Sequence, residues 1–162
     1  MIQRVQSIYL LCSIIFMAIF AFTPYCNIVT DSGSYQLNSC GLNLSAPIET
    51  AGATITSSQN FTVAILAALI SVMSAVAIFM FKNRPRQILV CKVNILLYIA
   101  LYIVMGIYAY NNYNILQGTG FTTTTYVIFP ICALITNWLA MGAIKKDEDM
   151  VRDSERMWSR SK

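Results

Sequence analysis

The chain has 162 residues, of which 57% are hydrophobic and only 11% charged, with a formal net charge of +4 and no histidine. Its mean hydropathy is +0.61, well outside the range of soluble globular domains. The lack of histidine removes the commonest metal and haem ligand, so no metal or cofactor is expected.

Four hydrophobic runs organise the sequence, at about 5–25, 61–81, 88–110 and 125–144. Each is close to the ~20 residues that cross a ~30 Å hydrocarbon core. The expected fold is an all-α integral membrane protein: an antiparallel four-helix transmembrane bundle in one domain, with outer loops 27–60 and 111–124. A helical C-terminal extension, 145–162, is expected on the cytoplasmic side. Arg4 ahead of the first run imitates a signal peptide, but one cation and no small-residue cleavage site argue for a retained helix.

Thr23-Pro24 should end the first helix near the outer interface, with Tyr25 in an aromatic belt. The 31–59 segment is rich in Ser, Thr, Asn and Gly. Short alternating pieces, Tyr35-Gln36-Leu37 and Ala53-Thr54-Ile55-Thr56, could pair as a small hairpin. Cys26 and Cys40 both fall on this side, where a disulfide is permitted and would tie the loop to the first helix. The other three cysteines lie inside spans, where a thiol behaves as a small hydrophobe.

The second run carries Ala64, Ala67, Ala68, Ser71, Ser74 and Ala75. Small side chains let helices approach closely in lipid, so this run is expected to be the most buried. Pro85 breaks the turn into the third run. Pro130 falls about one turn into the fourth, where its missing N–H costs least. Beyond residue 144, Met150, Val151, Met157 and Trp158 recur at helical spacing, with Glu148–Arg152 and Asp153–Arg156 able to pair. That pattern predicts a helix leaving the membrane or bending along it, either simply solvated or docking a partner.

All 11 Lys and Arg residues fall on one side of these runs. Arg4 precedes the first, Lys82, Arg84, Arg86 and Lys92 lie around the second turn, and the rest follow the fourth. Short loops rich in Lys and Arg stay in the cytoplasm, so both termini are expected there, in a bacterial inner membrane. The positive charge is therefore topological and implies no nucleic-acid partner.

Polar residues inside the spans are few. Ser13, Ser74, Asn94 and Asn137 form an intramembrane polar layer about a third of the way across, Asn137 roughly 10 Å from the cytoplasmic edge. The structural reading is interhelical hydrogen bonding, with Asn94 to Asn137 one candidate pair. The functional reading is a substrate or ion site in a small transporter or channel. No Asp, Glu or His lies in any span, so catalysis would have only Lys92 as a base, and Lys92 can snorkel to the headgroups. No catalytic residue is assigned.

Three stretches carry a resemblance. Met1-Ile2-Gln3-Arg4-Val5-Gln6-Ser7-Ile8-Tyr9-Leu10-Leu11 opens the chain. Phe81-Lys82-Asn83-Arg84 and Gln87-Ile88 lead into Cys91-Lys92-Val93-Asn94-Ile95-Leu96-Leu97. Asn137-Trp138-Leu139-Ala140 precedes Ala143-Ile144-Lys145-Lys146-Asp147-Glu148-Asp149-Met150-Val151-Arg152. Over its whole length the chain resembles an uncharacterised family of small four-span inner-membrane proteins of the Bacteroidota, a domain of unknown function. The resemblance implies no reaction or ligand.

The sequence thus points to a non-enzymatic accessory or scaffold subunit of a larger inner-membrane assembly, with a secretion or insertion machine as one host. Arg4, Lys82, Arg84, Arg86, Lys92, Lys145, Lys146, Asp149, Arg152 and Arg156 are the expected contacts to other subunits or to anionic lipid headgroups.

Overall fold

The computed structural model describes residues 3–30, 33–47, 61–80 and 83–160. Four long helices, α1 (Gln3–Phe22), α2 (Thr62–Phe79), α3 (Arg84–Ile115) and α4 (Ile128–Arg160), carry most of the chain. Strands β1 (Pro24–Thr30), β2 (Gly33–Asn38) and β3 (Gly41–Pro47) follow α1, and β4 (Gly120–Thr123) lies between α3 and α4.

Cross-helix contacts fix the helix directions. Gln6 reaches Ala143 and Phe16 stacks on Phe129, so α1 and α4 are antiparallel. Gln87 meets Ala77 while Tyr108 meets Thr62, so α2 and α3 are antiparallel. Asn137 meets Cys91 while Tyr102 meets Val127, so α3 and α4 are antiparallel as well.

Apolar side chains point outward from all four helices. Ile8, Leu11, Ile15 and Ile19 of α1 are exposed, as are Ile65, Leu69, Val72 and Val76 of α2. Leu89, Leu96, Ile103 and Ile107 of α3 and Ile131, Ile135 and Trp138 of α4 complete the belt. A water-soluble bundle places such residues inside. Three helices, Thr62–Phe79, Pro85–Ile115 and Thr125–Trp158, are long and apolar enough to cross a membrane; the apolar part of α1, Gln6–Phe22, is shorter.

The expected all-α architecture is corrected by a four-stranded antiparallel sheet of order β3-β2-β1-β4. Thr23-Pro24 stops α1 at Phe22, three residues earlier than expected, because the residue before a proline disfavours helix. Thr23 Oγ1 donates to Phe20 O at 3.2 Å and closes the helix end. Pro24 then opens β1, where a missing N–H is tolerated. Tyr25, the next residue of β1, is buried against Phe20 of α1 instead of standing in an aromatic belt.

Tyr35-Gln36-Leu37 is a strand segment, but its partners are Ile28, Asn27 and Cys26 of β1 and Leu44, Asn43 and Leu42 of β3. The expected partner, 53–56, lies outside the described residues. From the far end of the chain, β4 pairs Phe121 with Ile28 and Thr123 with Cys26. Ile28 and Leu37 from the sheet share a core with Met17 and Phe20 of α1, Val63 of α2 and Met105 of α3. The sheet therefore closes one end of the bundle.

Helix α3 runs five residues past the expected 110 and ends in a defined C-cap. Gln117, at φ 48°, is left-handed. Gly118 N donates to Tyr113 O at 3.1 Å and Gln117 N to Asn114 O at 3.3 Å, the paired bonds of a Schellman turn. Pro85 sits in the first turn of α3. At the other end of the bundle α4 continues without a break through the tail. Helix α2 is no more buried than its neighbours: the apolar windows of α2, α3 and α4 are each 28% buried. Its small residues are divided, Ala67 and Ser74 facing in and Ala68 exposed.

Candidate functional site

The four polar residues singled out in the spans all face the bundle interior. Ser13, Ser74, Asn94 and Asn137 are at most 1% exposed. Each is bracketed, one turn either side on its own helix, by buried residues: Leu10 and Met17, Ile70 and Ala77, Cys91 and Tyr98, Ala133 and Ala140. The 3–4 spacing puts all of these on one inward stripe per helix. The polar layer separates the core beneath the sheet from a smaller one of Leu10, Ala77, Cys91, Ala140 and Ile144.

Within the layer Asn94 Nδ2 donates to Ser74 Oγ at 2.8 Å, joining α3 to α2. Ser13 Oγ and Tyr98 OH lie 2.7 Å apart, joining α1 to α3. Asn137 Nδ2 donates to Cys91 O at 3.1 Å, joining α4 to α3. The expected Asn94–Asn137 pair does not form; each amide N–H goes to a different helix neighbour. Asn94 Oδ1 and Asn137 Oδ1 accept no hydrogen bond among the described residues. Tyr102, half-buried, donates to Val127 O at 2.8 Å, the partner a phenol needs away from water.

Three buried amides were missed by the sequence reading: Asn112 near the end of α3, whose Nδ2 donates to Tyr108 O at 2.8 Å, and the pair Gln87 and Gln6. Gln87 is 3% exposed and Nε2 donates to Ala77 O at 2.9 Å, stitching the α2–α3 turn. Gln6 is 6% exposed and Nε2 reaches Ala143 O at 3.4 Å. Both lie beside charged residues in the sequence and read there as flanks; their helical phase, one turn below Leu10 and Cys91, was the available signal. Asp147, also buried and also missed, continues the inward stripe of α4 from Ala140 and Ile144.

Arg86, Lys92, Lys145, Lys146, Asp149, Arg152 and Arg156 are all exposed. Lys82 lies outside the described residues, as do the side chains of Arg4 and Arg84. Arg152 approaches Asp149 at 3.8 Å, one residue from the Glu148 that the spacing suggested. Both partners are exposed, so the pair contributes little. Met150, Val151, Met157 and Trp158 are exposed on the α4 extension, between 42% and 69%.

Cys26 and Cys40 are free thiols, and the bridge their placement permits is not formed. Cys26 is buried in β1 opposite Leu37, whereas Cys40 is exposed in the β2–β3 turn. Burial pushes the Cys26 thiol up to about 11. The Tyr25 phenol beside it is raised as well, by burial first, then by Cys26 and Tyr108.

No cluster of three or more metal-ligating side chains occurs among the described residues. A family model described as a domain of unknown function, DUF4293, matches residues 2–157. No curated protein matches the sequence.

Proposed function

The chain belongs to the DUF4293 family of domains of unknown function, and from that premise, which assigns no activity, we propose that it is a four-span membrane protein serving as a non-enzymatic accessory or scaffold subunit. The observation that carries the membrane reading is the inside-out pattern: Asn, Ser and Gln in the bundle, Ile and Leu on its surface. The apolar part of α1, at 17 residues, meets the lower limit for a span, and its exposed stripe matches those of the other helices. The one-sided Lys and Arg distribution orients both termini to the cytoplasm of a bacterial inner membrane.

Subunit docking rests on the α4 extension. From Lys145 to Arg160 the helix projects about 22 Å at 1.5 Å per residue. Met150, Val151, Met157 and Trp158 form an exposed face on it, flanked by Lys145, Lys146, Asp149, Arg152 and Arg156. Adaptable Met side chains beside a Trp suit contact with a protein surface. Extraction of the tagged protein in mild detergent tests this, comparing the full chain, a chain truncated after Ile144, and a Met157→Ser, Trp158→Ser variant. A stoichiometric partner lost from both altered chains is the expected result. Equal recovery with all three removes the tail as the docking element.

A transporter or channel is the second reading, and the acceptor oxygens of Asn94 and Asn137 favour it. Against it, the amide N–H groups of the layer bind neighbouring helices. Flux lost in Asn94→Leu with an intact fold would establish transport; a destabilised bundle would return the layer to a structural role.

A further inference from the structure

Lys92 and Trp138 share one groove on the outside of the bundle. Cys91 and Asn137 face each other across the α3–α4 contact, Asn137 Nδ2 donating to Cys91 O at 3.1 Å. On antiparallel right-handed helices, the residue following each of two facing residues turns about 100° to the same side. Lys92 is exposed and Trp138 is 61% exposed, so that side is the outer one. The preceding residues, Val90 and Thr136, turn the opposite way and are half-buried. Two turns beyond Trp138 on the same stripe lies Lys145, also exposed.

Depth makes the pair unusual. Lys92 lies six residues, about 9 Å, along α3 from Arg86, the exposed cation near the helix start. An ammonium there faces hydrocarbon unless its flexible stem bends back or a counter-charge comes to it. Trp138 places an indole N–H at the same level, a donor with no use for acyl chains. Ile99 and Ile131, each two turns further in, are both exposed and apolar. The groove thus offers two cations toward the headgroups, a donor between them, and an apolar track above.

We propose that this groove, on the membrane-spanning reading it rests on, is a binding site for one anionic phospholipid of the cytoplasmic leaflet. Its phosphate sits between the Lys92 and Lys145 ammonium groups. The Trp138 indole N–H donates to a phosphate or glycerol-ester oxygen, and an acyl chain follows Ile99 and Ile131. A zwitterionic headgroup brings its own cation to a site that already holds two, so the preference is for net negative charge. Of the acids that follow Lys145 on α4, Asp149 is turned to Arg152 at 3.8 Å, and Glu148 is half-buried. The site adds a lipid contact to the proposed scaffold and is separate from the apolar face of the tail.

The chain has two tryptophans, so a Trp158→Phe background leaves Trp138 as the single reporter. This full-length chain is reconstituted into phosphatidylcholine vesicles containing increasing brominated phosphatidylglycerol or, in parallel, brominated phosphatidylcholine. Bromine quenches indole on contact. Quenching by the anionic lipid is expected at a mole fraction lower by about five-fold for each ammonium engaged. Lys92→Gln should remove most of that preference while quenching by brominated phosphatidylcholine persists. Arg160→Gln, which deletes the same charge at the far end of α4, should keep it. Equal quenching by the two lipids, or a preference unchanged in Lys92→Gln, overturns the proposal. No quenching by either lipid in a chain that floats with the vesicles means the groove is covered by protein, which also overturns it. A chain that fails to float removes the membrane reading itself.

Discussion

Asn94 Nδ2 donates to Ser74 Oγ at 2.8 Å with both side chains at 1% exposure, and this bond joins α3 to α2 at the level where Asn137 joins α4 to α3. A bond of this kind between membrane helices contributes about 0.6 kcal/mol on average and at most ~2 kcal/mol. Asn94→Leu should therefore destabilise the bundle by roughly 1–2 kcal/mol, and Ser74→Ala by about 1 kcal/mol. Because the two share one bond, the double variant should cost less than the sum. Unfolding in a denaturing detergent mixed with a mild one measures the cycle. Strict additivity would dissolve the pair as an energetic unit.

That Ser13, Ser74, Asn94 and Asn137 lie at one level along the bundle was legible in the sequence, and their pairing was not. Each of Ser13, Ser74, Asn94 and Asn137 could be placed by counting residues from a helix edge, since rise per residue is constant. Which amide meets which neighbour depends on how each helix is rotated. One residue is 100° of rotation, so small differences in phase sent Asn94 to Ser74 instead of Asn137. The same arithmetic explains why Gln6 and Gln87 escaped notice: both stand in charged flanks, and only helix phase turns them inward.

The sheet was mostly illegible. Tyr35 and Leu37 alternate with polar residues as a strand should, but β1 carries a helix-compatible apolar content directly after α1. Its other partner, β4, lies some 90 residues further along the chain, and non-local pairing leaves no mark in a local window. Length and hydropathy, by contrast, determine a long apolar helix almost alone, which is why the four helices were readable.

The α3 C-cap offers a stabilising change. Gln117 adopts φ 48° at the position where Schellman turns favour glycine. A residue with a Cβ gives up about 1 kcal/mol there, partly offset by the greater freedom glycine loses on folding. Gln117→Gly should raise stability by up to about 1 kcal/mol, seen as a higher thermal midpoint in detergent. A lower midpoint would show that the Gln117 side chain contributes more than its backbone costs.

The neighbouring position allows no such freedom. A Cβ on Gly118 would lie 2.8 Å from the Tyr113 ring and 2.9 Å from Ile28 Cγ2. These atoms belong to the end of α3 and to β1, so the turn presses the sheet onto the bundle. Gly118→Ala should cost about 1–3 kcal/mol through overpacking. It should also make the β4 segment more sensitive to protease added on the sheet side, with α2 and α3 protected as before. An unchanged cleavage rate would mean that the ring and β1 yield easily.

Alkali should weaken the structure through β1. The Cys26 thiol is raised from its ordinary 9.0 to about 11 by burial, and Tyr25 beside it is raised for the same reason. Below pH 9 the thiol keeps its proton whether the chain is folded or unfolded, and stability does not depend on it. Between pH 9 and about 11 the unfolded chain gives up the proton while the folded one holds it, so fewer protons are bound in the unfolded state and stability falls as pH rises. Thermal midpoints across pH 8–11.5 should therefore decline more steeply for the wild type than for Cys26→Ala, which lacks this contribution. Parallel curves for the two proteins would place the alkaline loss elsewhere in the chain.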